Sequence, residues 1–221
     1  KFTYFSNNAA GQIPPRSFAL AYQFPSHTIH LIKFNQAVGR QAAARSAAAA
    51  FRRSVVTLSA TDADKVALLT FDDGKMNSFS FEAIDTWNAV LDEAENAGAL
   101  VICGNDKAFS AGFDLSVMKT APSQQAGELV RKGAELTLRL AAFPRPVILA
   151  ATGHSLALGA IMLFAGDYRV GTDNPKSKFG MTEVHLGMPL PTFAMELARW
   201  RLSPLAFTQS TTLGTTYDSA G

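Results

Sequence analysis

Glu183 is the only acid in GMTEVHLGM, residues 180–188. A carboxylate in such apolar company can take a proton from carbon, provided that something nearby holds the negative charge left behind. Two glycine-bearing turns are candidates for holding that charge. They are VICGNDKAFSAGFDL, residues 101–115, and PVILAATGHSLALGAIMLF, residues 146–164. Each follows an apolar run and leads into a helical pattern. Glycine there permits a φ value or a close contact that other residues cannot manage. The amide just after Gly112 belongs to Phe113, and the second turn presents amides at its helix start, around Leu158, where unsatisfied N–H groups favour negative charge. Two such amides meeting at one carbonyl oxygen would stabilise an enolate, and removing one donor of this kind can cost about 3–4 kcal/mol. Spacing alone leaves a plainer reading open. Glycines after strands are common in α/β proteins, Phe109 and Phe113 are then core wedges, and Glu183 is a capping or turn carboxylate.

Regular elements must position these residues. KVALLTF (65–71), ALVIC (99–103) and PVILAA (146–151) read as buried strands, with a short fourth centred on residues 168–170. Apolar spacing predicts helices over 81–97, 124–142, 158–165 and 192–201, with Gly98 closing the first. DDGKMNSFS reads as a turn. Strands alternating with helices point to an α/β layer architecture. LALGAIMLFAG is about half the length a membrane span needs, so it reads as a buried helix.

Charge divides the chain. Residues 1–60 hold seven lysines and arginines and no acid, whereas all 18 acids lie in residues 61–221 beside thirteen bases. The body therefore has no electrostatic footprint for nucleic acid. AVGRQAAARSAAAAFRRS, residues 37–54, has the composition of an organelle-targeting segment, with disorder as the other reading. Residues 1–60 are accordingly set apart from a core domain over 61–221, and their deletion is expected to leave the core's folding largely unchanged. Cys103 is the sole cysteine, which excludes an internal disulfide and suits a reducing compartment. No His/Cys/Asp cluster has metal-ligand spacing. His185 reads as packing or pocket lining, with an acid/base role as the other reading, His154 as a loop donor, and Asp167 and Arg169 as ordering a strand end.

Three stretches together resemble the crotonase, or enoyl-CoA hydratase/isomerase, superfamily: KAFSAGFDL at 107–115; PVI at 146–148 through Gly153 to Leu158-Gly159 and Asp167-Tyr168-Arg169; and Phe179-Gly180, Glu183 and Leu186-Gly187. The resemblance covers roughly residues 62–221. It implies an α/β crotonase-like (ClpP/crotonase) fold of repeated ββα units, with a C-terminal helical region that this chain does not reach. It also implies an acyl-CoA thioester as substrate, coenzyme A being part of that substrate and no separate cofactor being needed. The Phe113 and Leu158 amides would hold the thioester oxygen, Glu183 would be the acid/base, Ala111, Gly112, Phe113 and Asp114 would border coenzyme A, and Lys107 would either touch its phosphates or stay solvated.

The hydratases of this family use a second glutamate, and the matching place here is Ile161, which can neither orient water nor exchange a proton. The pattern is closest to the 3,2-enoyl-CoA isomerases, which keep the later glutamate alone. The expected reaction is therefore 3-enoyl-CoA to 2-enoyl-CoA isomerisation in fatty-acid oxidation. Hydration, another crotonase-type reaction and a non-catalytic acyl-CoA binding or assembly subunit are the alternatives. The resemblance further implies a homotrimer or hexamer for a full-length chain. With the basic segment it suggests a mitochondrial matrix location, the alternatives being cytoplasmic or peroxisomal.

Overall fold

Short runs of β-branched and aliphatic residues bounded by polar or glycine-containing turns build the main sheet of this protein. The computed structural model describes residues 2–4, 55–61 and 66–220. Its six-stranded sheet is ordered β1-β10-β8-β5-β3-β2, with β1 Phe2–Tyr4, β2 Val56–Thr61, β3 Val66–Phe71, β5 Ala99–Cys103, β8 Val147–Ala151 and β10 Tyr168–Thr172. The central strands β3, β5, β8 and β10 run parallel, and β2 and β1 pair antiparallel at the two edges. Parallel strands require crossovers. Helix α1, Phe81–Ala94, joins β3 to β5, and helices α2, Leu115–Thr120, and α3, Ser123–Ala141, lie between β5 and β8. Helix α4, Leu158–Leu163, precedes β10, and α5, Thr192–Arg201, and α6, Pro204–Thr212, follow it.

Helix α1 shows how the core is made. Ser80 caps it, its side chain accepting from Ala83 N at 3.1 Å. Ala83, Ile84, Trp87, Leu91 and Ala94 then fall on one face, and all five are buried. Trp87 meets Phe71 of β3 edge-on at 5.6 Å and tilts against Phe79 at the same centroid distance. Such aromatic pairs contribute about 0.5–1.5 kcal/mol each beyond the area they bury.

The strand at 99–103 and the helix at 192–201 match their expected bounds. The helix expected over 81–97 stops at Ala94, where Glu95 N and Ala97 N turn to carbonyls three residues back. The helix expected over 158–165 ends at Leu163 for the same reason, Phe164 N and Ala165 N closing onto Ile161 O and Met162 O ahead of Gly166. The strand expected from Pro146 begins at Val147, since proline has no N–H for the ladder. Short elements escaped the sequence reading: β4 Ser78–Phe79, β6 Ala108–Ser110, β7 Gly112–Phe113, β9 His154–Leu156, β11 Phe179–Gly180, α2 and α6. The strands among these have two or three residues, too few to show a period.

The expected boundary at residue 60 also shifts. Strand β2 straddles it, pairing Val56 through Thr61 with Phe71 back to Val66, and Val56 is buried. The sheet thus begins before residue 60. The basic stretch 37–54 lies outside the described residues. Deletion of residues 1–60 should therefore lower the stability of the protein by about 2 kcal/mol or more relative to deletion of 1–54, because it removes a buried valine and most of an edge ladder. Urea unfolding of the two truncations, compared at equal slope, measures the difference.

Candidate functional site

Three short parallel strands bring the distant signals together. A second sheet is ordered β11-β9-β6, with Phe179 and Gly180 aligned to Ser155 and Leu156, and Ala108 and Ser110 aligned to His154 and Ser155. Parallel strands end on the same side of their sheet, and ligands in open α/β folds gather at those carboxyl ends. β6 runs into Ala111-Gly112-Phe113, β9 into Ala157-Leu158, and β11 into Met181-Thr182-Glu183.

The first two turns are in direct contact. Gly112 has φ +94°, and a Cβ placed on it would stand 2.8 Å from Ala157 Cβ and 3.2 Å from both Leu156 O and Leu158 N. Only glycine allows this backbone-to-backbone approach. Ala157 is itself left-handed, with φ 50° and ψ −125°, and its N–H donates to Gly180 O at 3.0 Å, tying this turn to β11. Asp114 N donates to Phe79 O at 3.0 Å. N–H directions alternate along an extended strand, so the Phe113 N–H faces away from β4. Leu158 is the first residue of α4, whose opening N–H groups have no acceptor within the helix. The Phe113 ring and a Leu158 methyl share one floor: a Cβ on Gly133 of α3 would lie 2.5 Å from the ring and 3.2 Å from Leu158 Cδ2.

Glu183 is 6% exposed, and its Oε2 is buried without a hydrogen-bond partner. Burial pushes its pKa up; a bond from its own backbone N–H pulls weakly the other way. It stands at the head of the 3₁₀ turn Val184–Leu186, but its side chain makes no capping bond. The plainer reading of Glu183 as a cap therefore has no support in its contacts. The backbone is firmly held: Leu186 N and Met188 N both donate to Glu183 O, at 2.9 and 3.0 Å, and Gly187 closes the turn at φ 69°. A buried carboxyl with an unpaired oxygen and a raised pKa is the state expected of a base that works on carbon.

The other expected residues make the following contacts. Asp114 caps α2, accepting from Ser116 N and Ser116 Oγ at 2.8 and 2.7 Å. Ala111 N donates to Met76 O. The Lys107 side chain is exposed, while its carbonyl accepts from His154 N and backs onto Gly153. His154, expected as a loop donor, donates through this backbone N–H, and its Nδ1 accepts from Lys178 N at 3.1 Å. The His185 ring lies against Gly214, with Nε2 3.3 Å from Leu213 O. Asp167 accepts from Val147 N, and Arg169 donates to Leu163 O and Gly166 O at the carboxyl end of α4. Ile161 is 1% exposed, on the same helix as Leu158. Burial pushes the Cys103 thiol pKa up, as for a packing residue. Among the described residues, no group of three or more His, Cys, Asp or Glu could hold a metal ion, and no helix is long and apolar enough to cross a membrane. A separate recess of about 250 Å³, lined by Lys75, Asp73, Ser80 and Glu82, reaches the first turn only at Asp114.

Sequence reasoning missed Asn77. It is wholly buried with φ 56°, and its Nδ2 donates to Phe71 O, Ala108 O and Phe109 O. The available signal was an asparagine, a residue that tolerates left-handed φ, inside the DDGKMNSFS turn.

Residues 61–217 match the enoyl-CoA hydratase/isomerase family profile. A crystal structure of an enoyl-CoA hydratase from Mycobacterium ulcerans is 38% identical, with a TM-score of 0.69 over 74% of this chain and 71% of that one. The apo structure of an enoyl-CoA isomerase from Mycobacterium tuberculosis is 36% identical, with the same TM-score over 76% and 72%. These neighbours establish a crotonase-like α/β fold. A probable enoyl-CoA hydratase of Mycobacterium tuberculosis is 34% identical over 98 residues, which is 44% of this chain; the chain spans 37% of the length of the curated relatives it matches. These relatives are bacterial and lend no support to a mitochondrial address.

Two substitutions check this geometry. Gly133→Ala, which in an ordinary helix interior would stabilise by about 1 kcal/mol, should instead lower the melting temperature, because the added methyl meets the Phe113 ring. Glu183→Gln should raise stability at pH 8. The wild-type carboxyl has a folded pKa above its unfolded value, so its stabilising protonated form is lost as pH rises through the folded pKa. The gap should vanish below the ordinary glutamate pKa of about 4.3. Thermal melts across pH measure it, at about 2–4 °C per kcal/mol for a chain of this size.

Proposed function

The chain belongs to the enoyl-CoA hydratase/isomerase family, and on that premise we propose that it converts a 3-enoyl-CoA to a 2-enoyl-CoA by proton transfer through Glu183 alone. The observation that carries this reading is the contrast between the two positions where a carboxylate could act: Glu183 is buried with an unpaired oxygen, and Ile161 is buried and apolar. In this reading the Glu183 carboxylate removes a proton from C2 of the thioester. The electron pair moves toward the carbonyl, and the oxygen's charge is met by the Phe113 and Leu158 amides. The same carboxyl then returns the proton at C4, and the double bond comes to rest between C2 and C3. No water is consumed and no cofactor is required, since coenzyme A enters as part of the substrate. Hydration of the two-carboxylate kind would need a second acid to position the water, and an isoleucine cannot hold it. Relatives reported as hydratase and as isomerase are almost equally similar, so the choice rests on this chemistry rather than on their names.

The base must ionise against its burial, so kcat should rise with pH through a pKa above that of an ordinary glutamate. Incubation with a 3-enoyl-CoA in deuterated water should yield the 2-enoyl product, and Glu183→Gln should lower kcat by about 10²–10⁴-fold with substrate affinity retained. Unchanged turnover in that variant would overturn the assigned base. A 3-hydroxyacyl-CoA as first product would establish hydration instead. Binding of the thioester without either product would establish a non-catalytic subunit.

A further inference from the structure

The Phe113 amide lies on the two-residue strand β7, which pairs with β4 in the register Ser78 with Gly112 and Phe79 with Phe113. A side-chain relay holds Gly112 as well. The wholly buried Ser110 donates its hydroxyl proton to Asn77 O at 2.6 Å and accepts from Gly112 N at 3.0 Å. A hydroxyl has one proton. Committing it to Asn77 O leaves lone pairs for Gly112 N and fixes the direction of the relay. Asn77 O is a fixed anchor because its residue is held on every side: Nδ2 bonds to β3 and β6 carbonyls, Oδ1 accepts from Asp73 N and Asn105 Nδ2, and its N–H donates to Asp73 Oδ1. On the far side of the segment, Asp114 N is held by Phe79 O. Between these two anchors the Gly112–Phe113 peptide is the unit whose N–H is turned away from β4. The Ser110 main chain also abuts the other turn, since a Cβ on Gly159 would lie 2.3 Å from Ser110 O. The residue therefore touches both amide-bearing segments without itself reaching the site.

We propose that Ser110 is a positioning residue for the reaction, its Asn77-anchored hydroxyl setting the direction in which the Phe113 amide points. The inference rests on the function proposed above. Without the hydroxyl, Gly112 N loses an acceptor, and glycine's wide φ/ψ range lets the following peptide rotate. The loss should appear in the step that develops charge on oxygen, not in binding of the ground-state thioester.

The test compares the full chain with Ser110→Ala, Ser110→Cys and, as a matched buried hydroxyl on the neighbouring strand, Ser155→Ala. Ser155 is equally buried, but its Oγ reaches only Gly153 O, at 3.5 Å. Measurements are kcat and KM with a 3-enoyl-CoA, Kd for a saturated acyl-CoA, and melting temperature. Ser110→Ala should lower kcat by about 10–100-fold, less than the ~10²–10³ for outright loss of a donor, with KM and Kd within about threefold. Ser110→Cys, whose sulfur is a weak acceptor, should fall between it and wild type. Ser155→Ala should keep wild-type kcat whatever its melting temperature. A Ser110→Ala protein with kcat within twofold of wild type overturns the inference alone. If Ser110→Ala does not fold, a folded Ser110→Cys with wild-type kcat overturns it, as does failure of both variants to fold, which makes Ser110 purely structural. Wild type without isomerase turnover removes the function reading and this inference with it.

Discussion

The close approach of Gly112 to the Ala157–Leu158 turn is the constraint on which the rest of the site depends. Two backbone segments from different parts of the chain meet with only the Ala157 methyl beside them, and a Cβ on Gly112 would stand 2.8 Å from it. Backbone amides are the only donors that such a contact can bring together, and they are rigid ones, because each belongs to an element hydrogen-bonded elsewhere. The left-handed Ala157 follows from the same contact: its chain must turn sharply after β9, and Gly180 O holds the turn in place. Strain of this kind persists only where the surroundings over-determine it.

Electrostatics complete the arrangement from both ends of α4. The helix begins at the amide of Leu158, and its carboxyl end is met by two guanidiniums. Arg169 donates to Leu163 O and Gly166 O, and Arg201 donates to Phe164 O and Gly166 O. Cations at the carboxyl terminus satisfy carbonyls that the helix cannot, and they oppose its negative end. Glu183 is treated oppositely. It is buried without a cation and with one oxygen unpaired, which raises its proton affinity at a cost in stability. Among the described residues only Trp87 Nε1 shares this lack of a partner, and it carries no titrating proton.

The main sheet keeps these parts in register. Its parallel strands, with the aromatic cluster of Phe71, Phe79 and Trp87 between β3 and α1, form the apolar mass against which short elements can be held. The three-stranded sheet that carries the site is built from strands of only two or three residues, shorter than the usual five or six. Asn77 links the two sheets, bonding carbonyls of β3 and β6 with one amide group.

What the sequence determined by itself is local. The apolar runs of β3, β5 and β8 and the amphipathic helices α1, α3 and α5 were legible because each is long enough to show its period. Glu183 and Gly112 stood out by residue type, an acid in an apolar stretch and a glycine at a strand end, whereas the roles expected of Glu183, Phe113 and Leu158 came from the family resemblance. The tertiary structure decided everything that rests on two or three residues at once. Strands as short as β6, β7, β9 and β11 have no period to read, and exist because a neighbour pairs with them. The edge strand β2 was hidden by the basic stretch before it. The role of Asn77 depends on which carbonyls surround it, and the role of Ser110 on which hydroxyl direction Asn77 leaves open. Hydrogen-bond partners some 30 residues apart leave no mark on local composition, so only the folded chain could place them.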